Sequence, residues 1–283
     1  MQLGTRTFAT QITFALLLSL ALNLVLSLVS QGVFAGGPVA AKPKIAIIID
    51  DLGYKLREGR RAIALPHSLT LAIIPASPHA RKLAESANCT DNKEILVHLP
   101  MTPSVDQPWE NGLDADMEQP VFSEKAAKLL LSVPYAIGAN NHGGSLLTQD
   151  RERMNWLMNV LNEQNLFFVD SRTTAESVVV EAAQSANVQY GVRDVFLDNE
   201  RNKAAIQLQL DKLVSHALKH GHAIAIGHPY PETLEVLEAA LPEIQQQGIE
   251  LVGISSLLER SAQKNMDEIA AIFAPTPSQK DLN

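Results

Sequence analysis

The chain has 283 residues, 46% of them hydrophobic and 19% charged, with a formal net charge of −8. That length suffices for one α/β barrel or two smaller domains. The acidic balance, without any Lys/Arg-rich run, argues against a nucleic-acid partner, and aromatics at 5%, scattered, give no stacking platform for single strands.

Residues 1–35 read as a targeting segment. Arg6 is its one charge, residues 12–29 are almost wholly apolar, and Val33, Phe34 and Ala35 offer the residues a signal peptidase reads. The apolar run is long for a signal peptide and marginal for a membrane span. Cleavage after Ala35 is the favoured reading, with retention as an inner-membrane anchor the alternative. Either way the rest of the chain is expected to be exported to the periplasm, with a membrane partner only if the segment is kept. A short linker, 36–43, leads into a domain expected over 44–263, and the tail 264–283 is expected to end in disorder. Cys89 is the only cysteine. No internal disulfide can form, and the thiol is expected to be buried rather than catalytic.

From residue 44 onwards apolar strands alternate with amphipathic segments. Strands are predicted over 45–49, 69–74, 94–99, 136–139, 166–169, 194–197, 222–226 and 249–253. Helices are predicted over 56–65, 78–87, 123–131, 150–164, 174–186, 202–220 and 231–247. Thr148 is a candidate N-cap, Pro231 a first-turn proline, and Gly221 and Gly248 follow helix ends. Strict alternation predicts parallel strands with helices outside. An open nucleotide-binding sheet would carry a glycine-rich phosphate loop after the first strand; here that turn is Asp50-Asp51-Leu52-Gly53-Tyr54, with no such motif. Polar residues at six strand ends favour a barrel with a common mouth. The insertion 102–120, containing Trp109, has the length of a lid or a substrate-binding loop.

The chemistry-bearing residues sit at those ends. Asp50 and Asp51 close an apolar run containing four isoleucines, where an unpaired charge is expensive. Neighbouring strand residues face opposite ways, so both can reach one mouth only where the strand turns, at Gly53. One carboxylate could then hold a cation while the other serves as general base; a turn or cap pair is the bland alternative. His98 lies in an apolar strand, where a histidine is usually a satisfied core residue. His142 stands between Asn140-Asn141 and Gly143-Gly144, a segment expected to expose backbone N–H groups. With a carboxylate, His98 and His142 would make a three-ligand open site suited to zinc. His228 could be a general acid or a further ligand, with Asp170 and Asp198 orienting it or capping helices. Asn141 is a supporting candidate. His67, His79, His216, His220 and His222 read as structural.

Five segments in order then carry a resemblance: Ile49-Asp50-Asp51-Leu52-Gly53-Tyr54, His98-Leu99-Pro100-Met101, Asn140-Asn141-His142-Gly143-Gly144-Ser145, Val169-Asp170-Ser171-Arg172-Thr173-Thr174 and Gly227-His228-Pro229-Tyr230-Pro231-Glu232-Thr233. Together they resemble the divergent polysaccharide deacetylase family, which is similar to NodB-type carbohydrate esterases. The resemblance implies a distorted (β/α) barrel of seven mostly parallel strands, where eight candidates stand here. It implies a metal-dependent hydrolase that removes N-acetyl groups from an envelope polysaccharide. Asp50 would match the general base, Asp51, His98 and His142 the ligands of a divalent cation such as zinc, and His228 the acid. Relatives carry both metal histidines in one His-x-x-x-His segment, whereas here they come from two. The only such spacing, His216 to His220, falls on a predicted helix. The expected partner is an N-acetylated glycan gripped by the 102–120 loop. Two other readings stand beside it: a non-catalytic barrel binding a glycan or envelope protein, and a glycoside hydrolase pairing Asp50 with Asp170 or Asp198.

Overall fold

A computed structural model describes residues 41–104 and 111–258. The isoleucine-rich run forms most of β1 (Lys44–Leu52), buried along nearly its whole length. A strand without polar alternation must be covered on both faces. Ile45, Ile47 and Ile49 join the large core beneath the helices. Ala46 and Ile48 face the other way into a smaller cluster.

That smaller cluster reveals the architecture. It takes Ala72 from β2 (Leu69–Ile73), Leu96 from β3 (Lys93–Met101), Phe167 and Val169 from β5 (Phe167–Asp170), and Ile224 and Ile226 from β8 (His222–Gly227). Residues from strands so far apart in one sheet touch only if the sheet curls round on itself. The remaining strands are β4 (Gly138–Gly143), β6 (Tyr190–Val192), β7 (Val195–Phe196) and β9 (Glu250–Val252). The order is β6-β5-β4-β3-β2-β1-β8-β7, every ladder parallel, with β9 added beside the start of β1. This is the expected distorted (β/α) barrel, with eight strands in the curled path.

The barrel stays open between β6 and β7, which share no ladder among the described residues. Arg193 and Asp194 cross that seam. The Arg193 N–H donates to the Asp170 carbonyl on one side, and the Asp194 N–H to the Ile224 carbonyl on the other. Behind β9, Ile254, Leu257 and Leu258 plug the lumen from below. Glu94 latches this plug by accepting from the Ser255 N–H and hydroxyl. With the bottom filled, chemistry is confined to the mouth formed by the strands' C-terminal ends.

Among the described residues, seven helices cover the outside: α1 (Leu56–Ala64), α2 (Ala80–Asn88), α3 (Gln119–Ser132), α4 (Arg151–Glu163), α5 (Val179–Ser185), α6 (Lys203–His220) and α7 (Pro231–Gln246). Asp150, not Thr148, caps α4 by accepting from the Arg153 N–H; Thr148 sits in a 3₁₀ turn and donates to the Gly144 carbonyl. Gly221 ends α6 in the left-handed region as expected. β6 was not anticipated, being three residues long with a glycine in the middle. Cys89, expected to be buried, is exposed just past α2. The segment 1–35, most of the linker, Trp109 and the tail 264–283 lie outside the described residues.

The turn after β1 depends on Gly53. Its φ is +128°, and a Cβ there would stand 1.8 Å from Ser77 Oγ. Gly53→Ala is therefore expected to destabilise the fold by about 2 kcal/mol or more. In a thermal melt this reads as a loss of roughly 5 °C or more, and an unchanged midpoint would contradict it.

Candidate metal centre

Alternation along β1 carries the inward-facing series Ala46, Ile48 on to Asp50, which is 3% exposed. Asp51 should then point outwards. It does not, because its own backbone is left-handed at φ 58° and the register against β2 shifts between Ile49 and Leu52. A bulge of this kind re-aims a side chain, here to the same mouth as Asp50. The turn expected from Gly53 alone is thus shared by Asp51.

On β3, His98 lies two residues beyond the inward Leu96. On β4 its neighbour is Asn140, and His142 stands opposite Pro100. These asparagines and His142 belong to the ladder, not to a loop with exposed N–H groups as the sequence suggested. Three lone-pair atoms converge as a result. Asp51 Oδ1 is 3.2 Å from His98 Nε2 and 3.0 Å from His142 Nδ1, and the two histidine nitrogens are 3.0 Å apart. Asp51 Oδ1 is buried and, although both rings are close, neither contact is aligned as a hydrogen bond. Ligands about 2.0–2.2 Å from one cation stand about 3 to 3.5 Å from each other, so this triangle fits a shared metal. Two histidines and one carboxylate are a donor set for a divalent transition metal.

Asn140 sets the protonation pattern. Its Nδ2 donates to Asp50 Oδ1 at 2.8 Å, which leaves its Oδ1 to accept from His98 Nδ1 at 2.8 Å. With its proton on Nδ1, neutral His98 offers the Nε2 lone pair to a metal. Sequence reasoning named Asn141 instead. Asn141 ties strands together, accepting from the Ser171 N–H and donating to the Gly143 carbonyl. That Asn140 and His142 are two apart on one strand face was the available clue.

His228, just past β8, is held by Asp198. One carboxylate oxygen lies 2.9 Å from its Nδ1; the other accepts from its backbone N–H and from Thr233 Oγ1. His228 Nε2 consequently faces the centre, 3.8 Å from Asp51 Oδ2. Tyr230 stacks on the imidazole at 5.3 Å between centroids, and Phe196 meets it edge-on. Asp198 thus orients His228, whereas Asp170 closes its own turn by accepting from the Arg172 N–H. His216 stands apart on α6 beside Asp194, 3.5 Å away.

Burial pushes the Asp50 carboxyl above the ordinary value, although His98, His228 and Asn140 pull the other way. Burial would also raise Asp51, but His142 and His98 outweigh it and hold that carboxylate well below the usual range. Burial works against the His98 charge, yet Asp50, Asp51 and Asn140 together push it up to about 9. His228 is also raised, as Asp198 and the two aspartates at the mouth overcome its desolvation. Metal-free His98 is therefore an imidazolium at pH 7, and a cation must displace the Nε2 proton. Zinc uptake by the metal-free chain is expected to release about one proton, so apparent affinity rises with pH and levels off above about 9. Calorimetry in buffers of different ionisation enthalpy measures this; uptake without proton release would contradict it.

The residues border a cavity of about 330 Å³, which also takes in Ser171, Arg172, Thr173 and Arg193. The sequence reading had not singled out either arginine.

A family model described as divergent polysaccharide deacetylase matches residues 47–258. A Haemophilus influenzae protein, itself uncharacterized, is 40% identical over 243 residues, 86% of this chain and 86% of its own. The uncharacterized protein YibQ of Escherichia coli K12 is 39% identical over 216 residues, 76% of this chain and 67% of its own. The crystal structure of the uncharacterized protein ATU2773 from Agrobacterium tumefaciens C58 superposes with a TM-score of 0.74 at 24% identity, covering 78% of this chain and 91% of that one. At that identity it speaks for the fold alone.

Proposed function

Because the chain belongs to the divergent polysaccharide deacetylase family, we propose that it removes N-acetyl groups from an envelope polysaccharide by metal-assisted hydrolysis. The observation that carries this reading is the convergence of Asp51, His98 and His142 beside a buried second carboxylate and an anchored histidine, all at one barrel mouth. A divalent cation on those three residues, zinc by its donor set, would polarise the acetamide carbonyl and acidify a bound water. Asp50, whose pKa burial raises toward the range a general base needs, accepts the proton of the attacking water. His228, charged more readily than an ordinary histidine, donates to the departing sugar amine while Asp198 keeps its Nε2 aimed inward. Asn140 holds Asp50 and His98 in register with one another.

The hydrophobic N-terminal stretch supports placing the reaction in the periplasm. The glycosidase alternative loses its second carboxylate, since Asp198 is engaged by His228 and Thr233 and Asp170 by its own turn.

The test is acetate release from N-acetylated β-1,4-glycans by the full-length chain, before and after chelation. Release that stops with chelator and returns with added zinc is expected. A chain that holds zinc yet frees no acetate from chitin oligomers or peptidoglycan would favour the non-catalytic barrel.

A further inference from the structure

We infer that the cavity beside the metal centre contains an anion subsite, built by Arg172 and Arg193, for an acidic substituent on the bound glycan. The inference rests on the reading that this cavity takes an N-acetylated glycan. It adds what that reading leaves open, the charge class of the substrate.

Both arginines line the cavity that holds Asp50, His98 and His142, but they enter from the turns after β5 and β6. Arg193 occupies the barrel seam. Its Nε donates to the Ser171 carbonyl at 2.6 Å and its Nη2 to the Arg172 carbonyl at 2.9 Å, while the guanidinium lies 5.1 Å from the Phe196 ring centre. These neutral partners fix the position of the group without neutralising it. Among the described residues no carboxylate stands within ion-pair distance, and Nη1 has no hydrogen-bond partner. Asp170, Asp50 and Asp194 act on this half-buried cation only from beyond ion-pair distance, so its fork, bonded to carbonyls alone, keeps hydrogen-bonding capacity for a ligand.

Arg172 supplies the second charge. Its backbone is left-handed at φ 52°, held so by the Asp170 carboxylate on its N–H. Its own guanidinium makes no ion pair or hydrogen bond among the described residues, although the residue borders the cavity. Arg193 bonds the Arg172 carbonyl, so the two side chains start from one braced piece of backbone. The hydroxyl-bearing residues Ser171 and Thr173, which flank Arg172 in sequence, also line the cavity. On a chain of net charge −8, two arginines that make no ion pair among the described residues bring positive charge into a cavity that also holds Asp50. Guanidinium forks match the paired oxygens of a carboxylate or phosphate. Either could sit on a glycan, as an acidic sugar substituent or as a phosphate ester.

The rival account makes Arg193 a bracket for the turn at 171–174 and nothing more. Equilibrium binding to the full-length chain separates the two, using three β-1,4-linked tetrasaccharides. One is neutral chitotetraose, fully N-acetylated; one carries lactyl carboxylates on alternate sugars; one carries 6-phosphates. An anionic probe is expected to bind about tenfold more tightly than the neutral one at low salt, with the advantage shrinking as salt rises. Whichever anion wins identifies the source. Arg172→Gln, a variant whose lost guanidinium makes no ion pair or hydrogen bond among the described residues, is expected to cut the advantage to under about threefold. Arg193→Lys, which keeps charge but not the fork, should lose part of it. Equal binding of all three probes, or a preference untouched in both variants, overturns the subsite. Acetate release is scored separately. A preference that depends on Arg172 without acetate release would reject the deacetylase reading and keep the subsite, and acetate release with no preference would do the reverse.

Discussion

Asp51→Asn is expected to lose the bound cation and, with it, acetate release. Asp51 is the one anionic member of the ligand triangle, and its buried Oδ1 is the atom common to both short histidine contacts. Asparagine tolerates the left-handed backbone that Asp51 adopts, so the substitution removes the charge without removing the bulge. Altering residues that merely support a metal ligand costs 10- to 100-fold in affinity, and losing the ligand itself should cost more than about 100-fold. A catalytic cation is worth several kcal/mol of transition-state stabilisation, so the rate should fall by about a thousandfold or more. Zinc content after dialysis and acetate release together check this. Wild-type zinc stoichiometry in the variant would remove Asp51 from the ligand set. The same variant tests the electrostatics, because Asp51 is among the groups that raise His98 to about 9. Its imidazolium should titrate at lower pH in metal-free Asp51→Asn.

Asp50→Asn should behave differently: cation retained, catalysis lost. Asp50 touches the triangle only loosely, its Oδ2 standing 3.7 Å from His98 Nε2, and its Oδ1 is taken by Asn140. An asparagine at 50 can still accept from Asn140 Nδ2, so the support of His98 survives. Removing a general base lowers rate by about 10² to 10⁴. The pH profile gives the sharper reading. A base must be unprotonated, so the wild-type rate rises through the Asp50 pKa, which burial has lifted above its ordinary value. An acid must be protonated, so the rate falls through the His228 pKa, itself raised. The bell should lose its acidic limb in Asp50→Asn and keep its alkaline one. Loss of zinc from this variant would instead make Asp50 a ligand.

Much of the fold was legible because parallel strands buried on both faces announce themselves as unbroken apolar runs. All eight predicted strands exist, and the five motifs correctly pointed to the family. β4 is the instructive shift. It was predicted over 136–139, where the apolar residues are, yet it runs from Gly138 to Gly143 through two buried asparagines. Polar residues at strand ends look like loop from composition alone, but here the neighbours they bond to supply the missing partners. β6 escaped because three residues around a glycine carry no period. Asn141 was named and Asn140 overlooked, since sequence adjacency does not say which of two residues faces the lumen until the register is known.

By itself, the order of residues determined parallel strands alternating with helices, favoured a barrel over an open sheet, and set a pair of aspartates at the end of the first strand and three histidines at later strand ends. Those follow from local physics: apolar runs seek burial on both faces, and charges survive beside them only at an open end. The tertiary structure alone decided that the pieces form one centre. His98 and His142 come from segments 44 residues apart and meet because β3 pairs with β4 in one particular register. Asp51 joins them only through a left-handed residue and a register shift that alternation forbids one to assume. Arg193 enters the cavity because the barrel fails to close and the chain must cross its seam there. Each of these depends on which strands bond to which, an outcome of packing the whole sheet that no stretch of sequence carries alone.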